Sequence, residues 1–353
     1  MGLLSQDVTI DRLQAADGNL TLVITPDTVP PPVKQSEPVK WKISLADASL
    51  RRIEYGMEML PTIASLQCSL PQATLSDGTI DLGAGTINVT ELAVDSVDAR
   101  YLVPTPEYIA AHPLPQVKAP ADTAPSVPWT IRATRLRLTG AHGIYATDGA
   151  VPSEYFDPSY IEASEINLAV DSFYNRGAEI TVPLRRLSAR ERCGVALDLS
   201  GTFAMDSTAM YARSFKLTTP ASDITLDAMM GLDSANAPLD ASLAAHISPD
   251  YIRRLAPAAA QPLVKGLPPY RPLVLAADIK GRMADLDITR LSAEIPGYIA
   301  VGAEGHISNY TDFNRAEGSL RINGSVTDGN FIKQSLFDAK TGRAVNIPPL
   351  RLN

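Results

Sequence analysis

Apolar and polar residues alternate over most of this chain, and a period of two residues indicates strands rather than helices. In "ASEINLAVDSF" (163–173), every second residue from Ile166 to Val170 is aliphatic, and polar or small residues stand between them. A strand with this pattern has one apolar face and one solvated face, which is typical of antiparallel sheets. The sequence therefore predicts an all-β protein built from one-sided, antiparallel sheets.

The predicted apolar face takes its residues from consecutive alternating segments between 163 and 228. They are Ile166, Leu168, Val170, Ile180, Val182, Val195, Leu197, Leu199, Phe215, Leu217, Ile224 and Leu226. From the pattern alone, this face either packs into a filled core or lines an open groove, because both arrangements require the same alternation. The aromatic content of 6 % indicates that aliphatic side chains form most of the surface in either case.

Local signals predict where the strands turn and where short helices interrupt them. Asp-Gly pairs in "ADGN" (16–19), "SDGT" (76–79) and "TDGA" (147–150) predict hairpin turns. A Ser or Thr followed by Pro predicts helix starts in "TPEYIAAHP" (105–113) and "SPDYIRRLAP" (248–257). A third short helix is predicted over 327–342, where three apolar residues share one side.

Composition limits the classes of partner. The net charge is −8 and no basic stripe is present, which argues against nucleic acid as a partner. The sequence contains no run of 18 apolar residues that could form a transmembrane helix. Its N-terminus shows no basic region followed by a long apolar stretch, so no secretory signal is expected within it.

No residue pattern in the sequence points to catalysis. The four histidines are far apart and lack the spacing of a metal site, and no P-loop, GxSxG or HExxH motif occurs. We therefore expect no enzyme activity, no cofactor and no metal. The two cysteines, Cys68 and Cys193, are interpreted as small buried residues, with a disulfide as the alternative in an oxidising compartment.

The two tryptophans, Trp41 and Trp129, each follow a proline-rich segment and each open a Trp-x-Ile strand pattern. This recurrence predicts an internal repeat in which each tryptophan is a structural anchor. The predicted divisions are a partial hairpin with a proline-rich linker (1–40), a first repeat (41–112), a second linker (113–128), a second repeat (129–237) and a degenerate third unit with short helices (238–353).

Four successive sequence segments resemble the TamB-like proteins of the AsmA-like superfamily, and their residue order is closest to that of the Bacteroidetes branch. They are "VPWTIRATRLRLTGAHGIY", "YFDPSYIEASEINLAVDSF", "ITVPLRRLSARERCGVALDLSGTF" and "SFKLTTPASDITLDAMMG". The resemblance covers roughly residues 40–310 and depends on phrase order and strand pattern rather than on a catalytic motif. The chain is shorter than full members and has no membrane anchor, which suggests an excised middle segment.

The resemblance implies an elongated antiparallel β-taco, a U-shaped repeating β-groove whose concave face is apolar. It further implies a periplasmic protein that shields phospholipid acyl chains during transport from the inner to the outer membrane. Neighbouring groove segments of a longer chain are implied partners. A second implied role is an envelope scaffold for outer-membrane protein biogenesis, in which strand edges interact with a barrel partner of the TamA type.

Two further interpretations stay open at the level of sequence. The arginines of "LRRLSARER" (184–192) either contact lipid headgroups or form a solvated turn. An enzyme on an elongated β scaffold would need carboxylates that converge on a cleft, whereas alternation assigns most Asp and Glu to solvated faces or turns.

Overall fold

A computed structural model describes residues 6–24, 40–59, 64–112, 128–232, 237–257, 260–282, 284–309, 315–328 and 350–352. The chain divides into two compact units. The first unit contains residues 1–153 and 157–192, and the second contains residues 154–156 and 193–353. The described residues are mostly β-strand, with three short helices, so the predicted all-β class is confirmed.

The first unit carries eight strands and one helix. They are β1 (Asp7–Ile24), β2 (Lys42–Met59), β3 (Ala64–Asp81), β4 (Thr86–Asp95), β5 (Asp98–Val103), α1 (Pro106–Ala111), β6 (Thr130–Thr147), β7 (Tyr160–Arg176) and β8 (Glu179–Glu191). Sequential pairing joins β1 to β2, β2 to β3, β6 to β7 and β7 to β8. Strands β4 and β5 follow one another along the same two neighbours, β3 and β6.

The second unit carries nine strands and two helices among its described residues. They are β9 (Ala196–Met205), β10 (Ala209–Thr219), β11 (Ser222–Gly231), β12 (Pro238–Ile247), α2 (Pro249–Leu255), α3 (Gln261–Val264), β13 (Leu273–Arg282), β14 (Asp285–Ile295), β15 (Ile299–Ser308), β16 (Glu317–Val326) and β17 (Leu350–Leu352). Every ladder from β9 to β17 is antiparallel and joins consecutive strands, so this unit is a simple meander.

The prediction of purely antiparallel sheets is wrong for the first unit. Strand β1 pairs in parallel with β2, and both β4 and β5 pair in parallel with β6. Parallel neighbours require a crossover connection of about a dozen residues or more. The residues between β1 and β2, and those between β5 and β6, include the two proline-rich segments, so these segments fall within the two crossovers.

The two parallel crossovers belong to one three-strand arrangement that occurs twice. Strand β1 matches β4 and β5 after a shift of 79 positions, from Asp7 to Thr86 and from Ile24 to Val103. Strand β2 matches β6 after a shift of 88 positions, which also superimposes Trp41 on Trp129. Strand β3 matches β7 after a shift of 95 positions, which places Asp81 on Arg176. The recurring Trp-x-Ile segment is therefore part of a recurring three-strand unit, which includes the strand before each tryptophan. The two compact units divide between residues 192 and 193, which is not a predicted repeat boundary, and the predicted boundaries stay a prediction.

Backbone conformation follows the same repeat. Residues with positive φ recur at matched points of the two copies, where the long strands start or kink. The matched pairs are Gln6 with Gly85, Asp17 with Ser96, Arg52 with Gly140, and Asp77 with Ser172, all with φ between 49° and 60°. Only four of these eight positions carry Gly or Asp, so the conformation follows the fold rather than the residue type.

Two of the three predicted hairpin turns are wrong. Asp17 and Asp77 lie inside β1 and β3, where they take positive φ at kinks in long strands. The third is a turn, because β6 ends at Thr147 and Ala150 N donates to Thr147 O at 2.9 Å. Asp-Gly favours positive φ in either setting, so the dipeptide cannot by itself distinguish a turn from a kink.

Two of the three predicted helices are confirmed. Helix α1 follows Thr105, whose Oγ1 accepts from Tyr108 N at 3.1 Å. Helix α2 follows Ser248, whose Oγ accepts from Asp250 N at 3.3 Å, with a proline at the first helical position. The third predicted helix, over 327–342, lies outside the described residues apart from its first two positions.

Candidate functional site

The second unit carries two continuous rows of apolar side chains that cross consecutive strands of its sheet. Directly paired residues on neighbouring strands point to the same side, so the ladder registers define each row. The first row is Leu199, Leu217, Ile224, Ala245, Leu275, Ala293 and Val301. The second row is Phe215, Leu226, Leu243, Ala277, Leu291, Ala303 and Ile322. These two rows are called the apolar face below.

Large side chains of the apolar face stay partly accessible. Leu291, Val301 and Ile322 are 43 %, 40 % and 47 % exposed. Of the fifteen buried apolar residues in the described part of the chain, ten are alanines, and no large side chain there is fully buried. A filled core of this size would enclose Leu, Ile and Phe side chains. In the described residues, therefore, no second layer fully covers the sheet.

The opposite side of the same sheet is solvated and charged. Lys280 pairs with Asp240 across β12 and β13, and Nζ lies 3.3 Å from the carboxylate. Asp278 accepts from Ser242 Oγ at 2.6 Å and pairs with Arg290 at 2.8 Å. These partners occupy the alternate positions of β12, β13 and β14, so these three strands have the predicted apolar side and the predicted charged side.

The candidate residues of the first unit also lie in cross-strand rows. Val170 stands opposite Leu136 and Leu184 and is 3 % exposed, and Leu168 stands opposite Leu138 and Leu187. The remaining candidates of this unit are half-buried: Ile166, Ile180 and Val182. Ile166 is paired with Ala141, and Ile180 with Asn175.

Most of the candidates of the second unit belong to the apolar face. Leu199, Leu217 and Ile224 are consecutive members of the first row, and Phe215 and Leu226 begin the second. Leu197 lies in β9, half-buried. Val195 comes just before β9 and is 5 % exposed, so it is a buried residue rather than an accessible one.

The apolar face extends along the chain to Ile322, beyond Leu226, the last of the predicted residues. Strands β12 to β16 supply nine of the fourteen residues of the apolar face, including Leu243, Leu275 and Ile322, none of which was a candidate. Their segments, such as "PLVLAADI", show the same alternation as the earlier ones, so the signal was present in the sequence. Only the ladder register shows that these residues continue the same rows.

The tryptophans stand at equivalent points of the first unit. Lys42 N, just after Trp41, donates to Gln6 O at 2.9 Å, and Thr130 N, just after Trp129, donates to Gly85 O at 2.8 Å. Trp129 is 42 % exposed and Trp41 is half-buried, so neither ring is enclosed. The equivalent hydrogen bonds fix where each crossover ends, and the anchoring role of the rings stays a prediction.

Of the arginines of 184–192, Arg185, Arg186 and Arg190 lie within strand β8, whereas Arg192 lies in the turn that follows it. Arg185 pairs with Asp171 at 3.7 Å, and Arg190 pairs with Glu165 at 3.4 Å. Because these exposed arginines face carboxylates of the neighbouring strand, their position is that of the solvated surface.

A polar pocket of about 520 Å³ lies on the first unit beside His142. The imidazole bridges three strands: Nδ1 lies 3.1 Å from Asp98 Oδ2, and Nε2 lies 3.2 Å from Glu162 Oε1. Burial of the ring lowers the pKa of His142, but the hydrogen bonds to Asp98 and Glu162 outweigh it, so the pKa is raised overall. The imidazolium is thus the form that this environment favours.

The described residues carry little that suggests catalysis or a metal. Within them, no group of three or more His, Cys, Asp or Glu side chains has the geometry to hold a metal ion. Cys68 and Cys193 are both thiols, and burial raises the pKa of Cys68, assisted by Glu54 and Asp98. No helix in the described ranges is both long and apolar enough to cross a membrane.

Fold and site together define a class: an all-β protein in which the sheet of the second unit has one accessible apolar face and one charged face. Comparison with known proteins takes the assignment no further. No protein-family model matches the chain, and no curated protein matches it.

Proposed function

We propose that the apolar face binds the acyl chains of phospholipids and shields them from water during transfer between membranes. The observation that carries this proposal is the pair of unbroken apolar rows whose large side chains remain partly accessible. Water contact with apolar surface costs about 25 cal/mol per Å², so an accessible face of this kind favours an apolar occupant.

The dimensions and chemistry of the rows suit a flexible aliphatic chain. The first row crosses seven strands, and adjacent strands lie about 4.8 Å apart, so it offers about 29 Å of continuous apolar surface. Large residues alternate with alanines from Ile224 to Val301, which leaves shallow gaps between the side chains. In the described residues, no buried side-chain nitrogen or oxygen is left without a hydrogen-bond partner, so these rows contain no unmet polar group that requires a polar ligand.

The resemblance to TamB-like proteins supports the same proposal and adds a cellular location. It implies a periplasmic protein in which successive groove segments conduct phospholipid between the inner and outer membranes. The all-β fold with a one-sided sheet agrees with that proposal. It is likewise the resemblance that suggests a barrel partner of the TamA type.

Adjacent residues of β11 allow a matched test of the proposal. Ile224 lies in the first apolar row between Leu217 and Ala245, whereas Thr225 lies on the charged side opposite Lys216. The Ile224→Asp variant places a carboxylate among aliphatic side chains, which costs several kcal/mol when an acyl chain covers it. The Thr225→Asp variant adds the same charge one residue away, beside a lysine.

The measurement is the amount of lipid retained after incubation with vesicles of phosphatidylethanolamine and phosphatidylglycerol, followed by gel filtration and mass spectrometry of extracted lipid. We expect wild type and Thr225→Asp to retain phospholipid, and Ile224→Asp to retain at least about tenfold less, since about 1.4 kcal/mol corresponds to tenfold in affinity. Circular dichroism confirms that both variants are folded. Lipid-free wild type, or equal retention by folded Ile224→Asp, would refute the proposal.

A further inference from the structure

Strand β1 presents a long edge that its structural equivalent does not leave open. In the described residues, β1 pairs only with β2, through a ladder from Asp7 to Ile24. The equivalent strands β4 and β5 pair with β6 in the same parallel manner and also pair with β3 on their other side. The repeat therefore shows what kind of strand occupies this edge when it is filled.

Exposure differs between the two copies in the way that a missing neighbour would produce. Leu13, Leu20 and Leu22 of β1 are 45 %, 59 % and 45 % exposed. Their equivalents 79 positions later are Leu92, Ala99 and Tyr101, which are all half-buried beside β3. The aliphatic residues of β1 thus have the character of an interior strand without its second neighbour.

We propose that the outer edge of β1 accepts an extended, amphipathic strand in antiparallel orientation, with the alternation and length of β3. This inference is independent of lipid binding, because it concerns the backbone edge of the first unit and not the apolar face of the second. Edge pairing of this type gains its affinity from main-chain hydrogen bonds and its selectivity from alternate side chains.

The repeat also gives the register. Strand β3 places Ser69 opposite Asp98 and Ser76 opposite Glu91. Subtraction of 79 positions places the same two partner positions opposite Asn19 and Arg12 of β1.

Side chains match in this register. The β3 residues Leu75, Cys68 and Leu66 would stand opposite Leu13, Leu20 and Leu22, all apolar pairs. Thr79 would stand opposite Thr9, which is a pair of polar residues. Cross-strand pairs of this kind each contribute about 0.2–1 kcal/mol to the stability of the pairing. The strand would therefore bind in this register and not in the register shifted by one residue.

A peptide with the β3 sequence, residues 64–81 with Cys68→Ser, is the probe for this edge. Its binding to the whole chain is measured by fluorescence anisotropy. The backbone N–H and C=O groups of successive strand residues point alternately to the two edges of the strand. Because Gln6 O accepts from Lys42 N of β2, the N–H of Thr9 points to the outer edge of β1. We expect Thr9→Pro to weaken binding at least about tenfold because it removes that donor, and Thr9→Ala to bind like wild type.

Disulfide trapping tests the register in a background that carries Cys68→Ser and Cys193→Ser. The peptide variant Ser69→Cys should cross-link to the chain variant Asn19→Cys. Faster cross-linking to Arg12→Cys would place the strand in another register, and faster cross-linking to Asp98→Cys would mean that the peptide replaces β3. Either result overturns the proposal, as does the absence of binding or equal binding by a folded Thr9→Pro variant. Lipid retention by the same Thr9→Pro chain reports separately on the apolar face.

Discussion

His142 is the residue whose charge state the fold controls most clearly. It lies between Asp98 and Glu162, with its side chain 32 % exposed, and these two carboxylates hold its pKa above the ordinary value in spite of partial burial. A pKa that is raised in the folded state stabilises the fold fully below the unfolded value near 6.5, and this stabilisation is lost as the pH rises through the folded pKa.

The variant Glu162→Gln should therefore lower the free energy of unfolding more at pH 5.5 than at pH 8.5. The pH-dependent part is small, about 1 kcal/mol or less, because solvent screens a group that is a third exposed. Urea denaturation at the two pH values measures it. The matched control is Glu304→Gln, which removes a pair with an arginine instead of a histidine, since Arg321 Nη1 lies 2.7 Å from Glu304 Oε1. An equal effect of Glu162→Gln at both pH values would contradict this account of His142.

Individual residues also show where sequence reasoning reached its limit. The alternation around Ile224 and Leu226 correctly predicted two-sided strands, because side-chain direction in a strand has a fixed period. The Asp-Gly pairs that begin at Asp17 and Asp77 were misread as turns, because a turn and a kink both require positive φ. The choice between them depends on whether the chain reverses, which is decided by pairing partners far away in sequence.

At the scale of single strands, the kinks with positive φ are the least tolerant feature of the first unit. Ser172 in β7 has φ 59°, and its equivalent Asp77 in β3 has φ 49°. An L-residue in this region costs about 1–2 kcal/mol, and β-branched side chains are the least compatible with it. The cost is met because the neighbouring strands pair on both sides of each kink.

The variant Ser172→Val should lower the free energy of unfolding by about 1–2 kcal/mol, whereas Ser172→Gly should change it by less than about 1 kcal/mol. Denaturant titration followed by circular dichroism measures both. Ser44→Val serves as the control, because Ser44 lies in β2 outside the positive-φ positions and valine suits an ordinary strand. If Val at 172 is tolerated as well as Val at 44, the kink is not under the constraint inferred here.

The parallel ladders are the element-level feature that the sequence could not supply. The proline-rich segments before Trp41 and Trp129 are predicted to be long connections, but a long connection can lead to an antiparallel or a parallel neighbour. The direction is fixed by the register of β1 on β2 and of β4 on β6. These pairings join residues 35 and 44 positions apart, from Asp7 to Lys42 and from Thr86 to Thr130, beyond the range of local patterns.

At the scale of the whole molecule, the distribution of burial makes a thermodynamic prediction. Buried apolar positions in the described residues are mainly alanines, and the large aliphatic side chains are only partly covered. Unfolding then exposes less new apolar surface than it does in a protein with a filled core. Since apolar exposure is the positive contribution to the heat capacity of unfolding, that heat capacity should be reduced.

Differential scanning calorimetry of the lipid-free chain should give a heat capacity of unfolding below the usual value of about 12–15 cal/mol/K per residue. Saturation with phosphatidylglycerol should raise both this quantity and the melting temperature, because a ligand that covers the apolar face binds only the folded state. The Ile224→Asp variant should show the low value with and without lipid, which separates coverage of the face from a general effect of lipid on the unfolded chain. A lipid-free value within the usual range would instead indicate that the aliphatic rows are enclosed in solution, and the open apolar face would have to be abandoned together with the lipid-binding proposal that depends on it.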